Sequence, residues 1–426
     1  MNDQWFRDYV LLQFRIDKLI RKFTESRFVD YYYGPPEWKA TVEAEGEMPA
    51  LDLVRAANAL LDTLPTGRDK SGPYAFEDTG RDKSGPYAFE PRRTTYLRKE
   101  LIALETVCRK LNGETFALAD EVERCFDIRP TWTPESQFEE AHALLDEALP
   151  GDGSIYERRQ RLRQRYELAG EQRKELVNFM RQAMMEARRR TLAFVELPEG
   201  EEVELALVSD QVFGGENWYL GSYRSHVDLN TDLPTGMNWL IDLVCHEGYP
   251  GHHTEFVSKE RSLYRGRGYM EQCIAPIISP RSVISEGIAT SAMEMIFTHD
   301  EAEQWARANL YPAAGIKPID ADRAKIARAG ELLGGVEENA RFMLSDGRPE
   351  DEVGQYLMKY LLIPEDFAQK SLEFIQNPYR EGYIFTYFQG KKLMKPYLSG
   401  PDKQEVFKRF LTEQLCPSDL REGNVS

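Results

Sequence analysis

Residues 243 to 256 read L-V-C-H-E-G-Y-P-G-H-H-T-E-F, and no other stretch restricts the fold as much. The chain holds six histidines, and three of them, His246, His252 and His253, fall within eight residues here. Just before them Met237, Leu240, Ile241 and Val244 recur at helical spacing, with Trp239 and Leu243 on the adjacent face. Thr235 to Cys245 therefore reads as a helix buried nearly all round. Imidazoles and a carboxylate buried there need partners. A divalent metal is the most economical one, because His246-Glu247 is the first half of H-E-x-x-H, in which two imidazoles one turn apart hold zinc and the glutamate faces the water. The second half is displaced. Pro250 stands four residues after His246, where its ring meets a carbonyl and its missing N–H opens the helix. On an unbroken helix His252 points to the wrong side, and His253 lies ~10 Å along the axis, too far to share an ion bound at ~2.0–2.1 Å. Pro250-Gly251 is therefore expected to bulge the helix, with His252 as second ligand and His253 as its rival.

H-E-G-Y-P-G-H-H resembles the H-E-x-x-P-G-H-H signature of the bacterial family named domain of unknown function 885, which is similar to the gluzincin metallopeptidases. The resemblance implies a third zinc ligand, a glutamate on a later helix. The family has E-G-W-A-L-Y-A-E there; Glu286, Gly287, Ala289 and Ala292 match it, whereas Ile288, Thr290, Ser291 and Met293 do not. Glu286 is thus the implied ligand, on an apolar helix over residues 283 to 297. A second family pattern, P-G-Q-A-L-A-Y-K-x-G, corresponds at Gly382, Tyr387 and Gly390, while Glu381, Tyr383 and Phe388 replace its proline, glutamine and lysine. Tyr387 would donate a hydrogen bond to a tetrahedral oxyanion, and Tyr383 joins it as a catalytic candidate.

Elsewhere the periodicities are mostly helical. Trp5, Tyr9, Leu12, Ile16, Leu19 and Phe23 mark an opening amphipathic helix that Pro35-Pro36 ends, and a second helix runs from about Pro49 to Leu64. T-G-R-D-K-S-G-P-Y-A-F-E occurs twice in tandem between residues 66 and 90, which reads as a duplicated surface loop. Residues 91 to 192 are expected to be almost wholly helical, their arginines interspersed with glutamates as solvated faces. The period then changes. Val203, Leu205 and Leu207 alternate as a strand, the chain turns at Phe213 to Asn217, and Trp218 to Leu229 reads as further extended structure. Arg224, His226 and Asp228 share one face of it and are expected to line the cleft, where Arg224 and His226 would bind substrate.

The formal net charge of −17 argues against nucleic acid or anionic membrane as partner. The five cysteines lack C-x-x-C spacing, so neither a disulfide framework nor a thiolate zinc site is expected. No signal-peptide pattern or long apolar run is present, and a cytoplasmic location follows as the default. These features describe a mostly α-helical, zincin-like metallohydrolase with a small β-sheet beside the zinc helix. It divides into a helical region over 1–195 and a zinc-binding catalytic region over 196–426, or forms one continuous domain. The expected activity is cleavage of a peptide or small amide by a water activated by one zinc ion, with Glu247 as general base. The rival readings are hydrolysis of a non-peptide amide or ester, and a non-catalytic, zinc-stabilised helical interaction protein. Glu247 argues against the second, since a structural site has no use for a base. No sequence feature bears on oligomeric state.

Overall fold

A computed structural model describes residues 2–24, 27–65, 90–168, 170–211, 213–232 and 234–423. The tandem repeat expected to form a loop lies outside the described residues, apart from Glu90. The first half of the chain is helical: α1 (Asn2–Phe23), α2 (Pro36–Ala44), α3 (Ala50–Asp62), α4 (Pro91–Leu111), α5 (Leu118–Phe126), α6 (Glu135–Ala148), α7 (Ile155–Tyr166) and α8 (Leu176–Thr191), with one short strand, β1 (Val29–Tyr32). Three strands follow, β2 (Glu202–Val208), β3 (Gly215–Gly221) and β4 (Arg224–Asn230), then α9 (Leu240–Glu247), α10 (His252–Lys259), β5 (Ile274–Pro276) and α11 (Pro280–Ile296). The remainder is again helical: α12 (His299–Asn309), α13 (Arg323–Leu333), α14 (Val336–Ser345), α15 (Glu350–Leu361), α16 (Glu365–Ile375), α17 (Phe385–Met394), α18 (Lys403–Thr412) and α19 (Pro417–Arg421).

The opening stripe behaves as its period requires from Trp5 to Leu19, which are buried; Phe23, at the helix end, is 61% exposed. Pro36 begins α2 instead of closing a unit, because proline at the first helical position gives up only an N–H that has no intrahelical partner there. On α7, Arg158 is buried instead of solvated: it donates to the carbonyls of Asp146 and Leu149 at 2.8 and 3.0 Å, closing the end of α6. Buried apolar side chains from Trp5 to Leu420 form one contiguous cluster. Because α8 packs on both α9 and β2, the expected division at residues 195 and 196 falls between elements in contact.

The sheet order is β2-β4-β3, with β2 parallel and β3 antiparallel to β4. The extended run expected from Trp218 to Leu229 is a hairpin. Its turn is Ser222-Tyr223, both with positive φ (53° and 64°), the backbone of a two-residue hairpin turn usually signalled by Asn-Gly. Neither residue advertises that conformation, so the sequence pattern runs through it. The small pair β1–β5 is a separate antiparallel ribbon.

Helices α11 and α17 cross closely because glycine faces glycine. A Cβ on Gly287 would lie 2.8 Å from the Gly390 carbonyl oxygen, and one on Gly390 would lie 2.5 Å from that of Val283. Gly287 and Gly390, two of the three glycines matched in those family patterns, thus set the approach of the helices that carry Glu286 and Tyr387. Gly390→Ala should cost about 1–3 kcal/mol through overpacking. Gly330→Ala, on α13, where an added methyl would meet nothing within 4 Å, should instead be neutral or stabilise by up to about 1 kcal/mol. Urea unfolding of the two variants checks the contrast.

Candidate metal centre

The histidine-rich segment is two helices, where a bulged single helix was expected. α9 stops at Glu247; the Tyr249–Pro250 peptide is cis, and α10 begins at His252. Between them the Gly251 N–H donates to the Cys245 carbonyl at 2.9 Å. A Cβ on Gly251 would collide with the carbonyl oxygens of Cys245 and His246, so only glycine permits the approach. The chain doubles back enough to set the His246 and His252 rings 4.8 Å apart between centroids, nearly perpendicular. At the start of the segment, α9 begins at Leu240, and Trp239 is 43% exposed instead of packed.

Helix α11 supplies the third group. One nitrogen each of His246 and His252 and one oxygen of Glu286 all lie within 4.8 Å of one another. Glu286 Oε2 is 3.4 Å from His246 Nε2, and Oε1 is 3.7 Å from His252 Nε2. Tetrahedral ligands at ~2.0–2.1 Å from one ion are about 3.3 Å apart, so small side-chain adjustments close these gaps. Glu286 Oε2 is buried without a hydrogen-bond partner among the described residues, an arrangement that a cation would relieve. The donor set, two imidazoles and one carboxylate, suits a divalent ion.

Two of the three groups, His252 and Glu286, are held from behind. Lys259 donates to Glu255 at 2.6 Å, the Ser285 hydroxyl donates to the other oxygen of Glu255 at 2.5 Å, and Ser285 Oγ lies 3.1 Å from His252 Nδ1. With its proton committed to Glu255, Ser285 accepts from His252 Nδ1–H, leaving Nε2 for the cluster. Tyr383 donates to Glu286 Oε1 at 2.6 Å, so it braces this carboxylate. The charge balance is cation-seeking. Burial opposes charging His252, yet Glu286, Glu255 and Glu247 push its pKa up to about 9. His246 is raised in the same way, against burial, by Glu247 and Glu286. Burial also works against ionising Glu286, but His252 and His246 hold its carboxyl below the usual range.

Glu247 and Tyr387 are differently placed. Glu247 lines the same cavity and makes no side-chain hydrogen bond among the described residues; its closest charged neighbour is His246 Nε2 at 3.9 Å. Burial pushes its carboxyl up, against the pull of His246 and His252. Its carbonyl accepts from Asn217 Nδ2 at 2.6 Å, which pins the end of α9 to β3. Tyr387 stacks its ring on His246 and lines the cavity, and burial keeps its phenol protonated and therefore a donor.

Three expected residues are not brought to the cluster. His253, the rival ligand, is fully buried on the other side of α10. Its Nε2 lies 2.8 Å from Glu201 and its Nδ1 2.8 Å from the Ser225 hydroxyl, so both ring nitrogens are engaged. Arg224 and His226 do not line the cavity. On β4, Ser225, Val227 and Leu229 face inward, which turns Arg224, His226 and Asp228 away, and His226 Nε2 lies 2.9 Å from Asp228. Of the three-stranded sheet it is β3 that reaches the cavity, through Gly215, Glu216 and Asn217, beside Asp30 and Tyr31 of β1 and Ala275 and Pro276 of β5. Sequence reasoning also passed over Arg281, Tyr31 and Arg380 on the cavity wall. The only local signal is an arginine in the first turn of an otherwise apolar helix.

No family model matches the chain, and no curated protein does. Among solved structures it is similar to "the putative lipoprotein from Colwellia psychrerythraea", with a TM-score of 0.49 and 14% identity across 88% of this chain. The chain spans 66% of that neighbour's length. Among the described residues no helix is long and apolar enough to cross a membrane.

Ser285→Ala should weaken metal binding by about 10–100-fold, because it releases the His252 ring. His253→Ala should leave affinity closer to wild type and cost on the order of 1–3 kcal/mol of stability, because the buried Glu201 and Ser225 each lose a hydrogen bond while Tyr249 and Arg188 still hold Glu201. Competition with a metal chelator and thermal melts separate the two effects. Glu201 gives a pH signature as well. Burial alone would raise its pKa, but hydrogen bonds from His253, Tyr249 and Arg188 pull it down to about 2 from the ordinary 4.5. Its contribution is therefore full above pH 4.5 and is lost as the pH falls toward 2. In Glu201→Gln the fall in melting temperature between pH 5 and pH 3 should be smaller than in the wild type.

Proposed function

We propose that the chain is a zinc-dependent, zincin-like hydrolase of peptide or other amide bonds, related distantly to the domain of unknown function 885 family that its H-E-G-Y-P-G-H-H segment resembles. The observation that carries this reading is the convergence of His246, His252 and Glu286 with Glu247, whose carboxylate is unbonded on the same cavity wall. A site that served only to tie helices together would have no use for that base.

Zinc, when bound, supplies Lewis acidity to a carbonyl and to water. The chain's own residues do the rest. Glu247 accepts a proton from the attacking water as its oxygen bonds to the carbonyl carbon. It then returns the proton to the amine nitrogen as the C–N bond breaks, so the carboxylate ends the cycle as it began. The Tyr387 hydroxyl donates to the oxygen that gains negative charge. Tyr383 holds Glu286, and the Lys259–Glu255–Ser285 relay holds His252, which fixes both ligands before substrate arrives. An extended substrate fits along β3, an edge strand whose first residues line the cavity.

Purified protein reconstituted with zinc should hold about one equivalent by elemental analysis, in line with a single three-ligand site. Glu247→Gln should keep the metal and lose turnover of short peptides by about 10²–10⁴-fold. Loss of zinc from this variant would make Glu247 a ligand. Full activity in it would end the proposed mechanism.

A further inference from the structure

Arg281, in the first turn of α11, lines the same cavity as Glu286, and only 5% of the residue is exposed. Its Nη2 is buried without a hydrogen-bond partner, and its guanidinium makes no ion pair among the described residues. It lies instead over the Tyr31 ring, 4.9 Å from the centroid. The Tyr31 hydroxyl is buried and unpartnered too, and Tyr31 lines the same cavity. The nearby acids are engaged elsewhere: Asp30, whose charge reaches Arg281, pairs with Arg27 at 3.2 Å, as does Glu216, and Glu100, pushed up to about 8 by burial, accepts from the Arg281 backbone N–H at 3.3 Å. A lysine in this position would escape by losing its proton, but a guanidinium stays charged and keeps its planar fork of donors. The protein thus holds in the cavity a desolvated cation that makes no side-chain hydrogen bond or ion pair among the described residues, a few residues along one helix from the His246–His252–Glu286 cluster.

We infer that Arg281, stacked on Tyr31, receives a carboxylate of the substrate. The guanidinium fork matches a carboxylate through two parallel hydrogen bonds. Five helical residues separate Arg281 from Glu286, about 7.5 Å along the axis. An extended peptide covers ~3.3–3.6 Å per residue, so a carboxylate on Arg281 lies one or two residues beyond a bond held at Glu286. On the hydrolase reading, this selects short peptides by their free carboxyl end and releases the last one or two residues. An aspartate or glutamate side chain near the cleaved bond would present the same group. The binding step itself stands apart from that reading, since it needs neither metal nor turnover.

Calorimetry on zinc-free protein tests it with three probes: acetyl-Ala-Ala-Ala with a free carboxyl end, the same peptide amidated, and acetyl-Ala-Ala-Glu amidated. Wild type should bind the free acid at least about tenfold more tightly than the alanine amide, the loss expected for one unpaired buried ion contact. Arg281→Gln and Arg281→Lys should both erase the difference, the second because a buried amine gives up its proton, and a thermal melt of each variant controls for folding. Tight binding of the glutamate amide would assign the carboxylate to a side chain, and weak binding to the chain end. Equal binding of acid and amide by the wild type overturns the inference. So does discrimination that survives Arg281→Gln but disappears in Arg380→Gln, the other arginine on the wall, or in His252→Ala, whose ring is a cation in zinc-free protein. Zinc-loaded protein keeps the two readings apart. Discrimination in binding without cleavage of any probe removes the hydrolase and leaves the carboxylate site. Cleavage of acid and amide at equal kcat/KM removes the carboxylate site and leaves the hydrolase.

Discussion

The close approach of the Gly251 amide to the Cys245 carbonyl, at 2.9 Å, is the contact on which the rest of the centre depends. It ends α9 at Glu247 and starts α10 at His252, so two imidazoles that an unbroken helix would separate meet across a turn. Pro250 prevents the helix from continuing, and Gly251 lets the two backbone segments touch. The hydrogen bonds of the helix ends are then completed locally, from Gly248 N–H to the Val244 carbonyl and from Glu255 N–H to that of Gly251. His246, Glu247 and His252, and the hydrogen bond from Asn217 on β3, take their positions from this turn.

Once the rings are together, electrostatics dictates what can occupy the space between them. Glu247, Glu255 and Glu286 surround two imidazoles, His252 buried and His246 half-buried, and the imidazole pKa values rise in spite of desolvation. The negative field must be met by protons on the rings or by a metal in their place. Lys259 offsets one of the three carboxylates from behind, which leaves the charge of Glu286 directed at the cluster. On the opposite side of α10, His253 does different work with the same side chain. Burial keeps its ring neutral, so Nε2–H donates to Glu201 while Nδ1 accepts from Ser225, tying the helix to the sheet.

The helices behind the centre are set by packing of a more ordinary kind. The Gly287–Gly390 contact lets α11 and α17 approach until Tyr383 reaches Glu286 and Tyr387 lies against His246. The matched glycines of the two family patterns acquire a physical reason here. The unmatched positions show how the surroundings differ: Tyr383, in place of the pattern's glutamine, is the residue that holds the carboxylate.

Much of this was legible in the sequence. The amphipathic stripe of α1, the alternation of β2 and the apolar run of α11 reflect local periodicity, which a chain displays wherever it folds. That the helix must be distorted at Pro250-Gly251 for a second histidine to meet His246 followed from helix geometry and the proline, but the expected form was a bulge and not an end, with His253 left open beside His252. What remained was decided by contacts between residues distant in the chain. Whether His253 met the cluster or the sheet depended on Glu201 and Ser225, and the turn at Ser222-Tyr223 carries no residue that announces it. The face of β4 was misassigned to the cleft because alternation reveals that two faces exist and not which one the core will cover. Arg281 shows the same limit, since an arginine near a helix start looks solvated until tertiary packing closes over it and leaves its charge unpaired. Local chemistry therefore determined the elements and the metal-binding residue types, while tertiary structure decided which side chains share one cavity, because only burial against distant partners gives a side chain its direction.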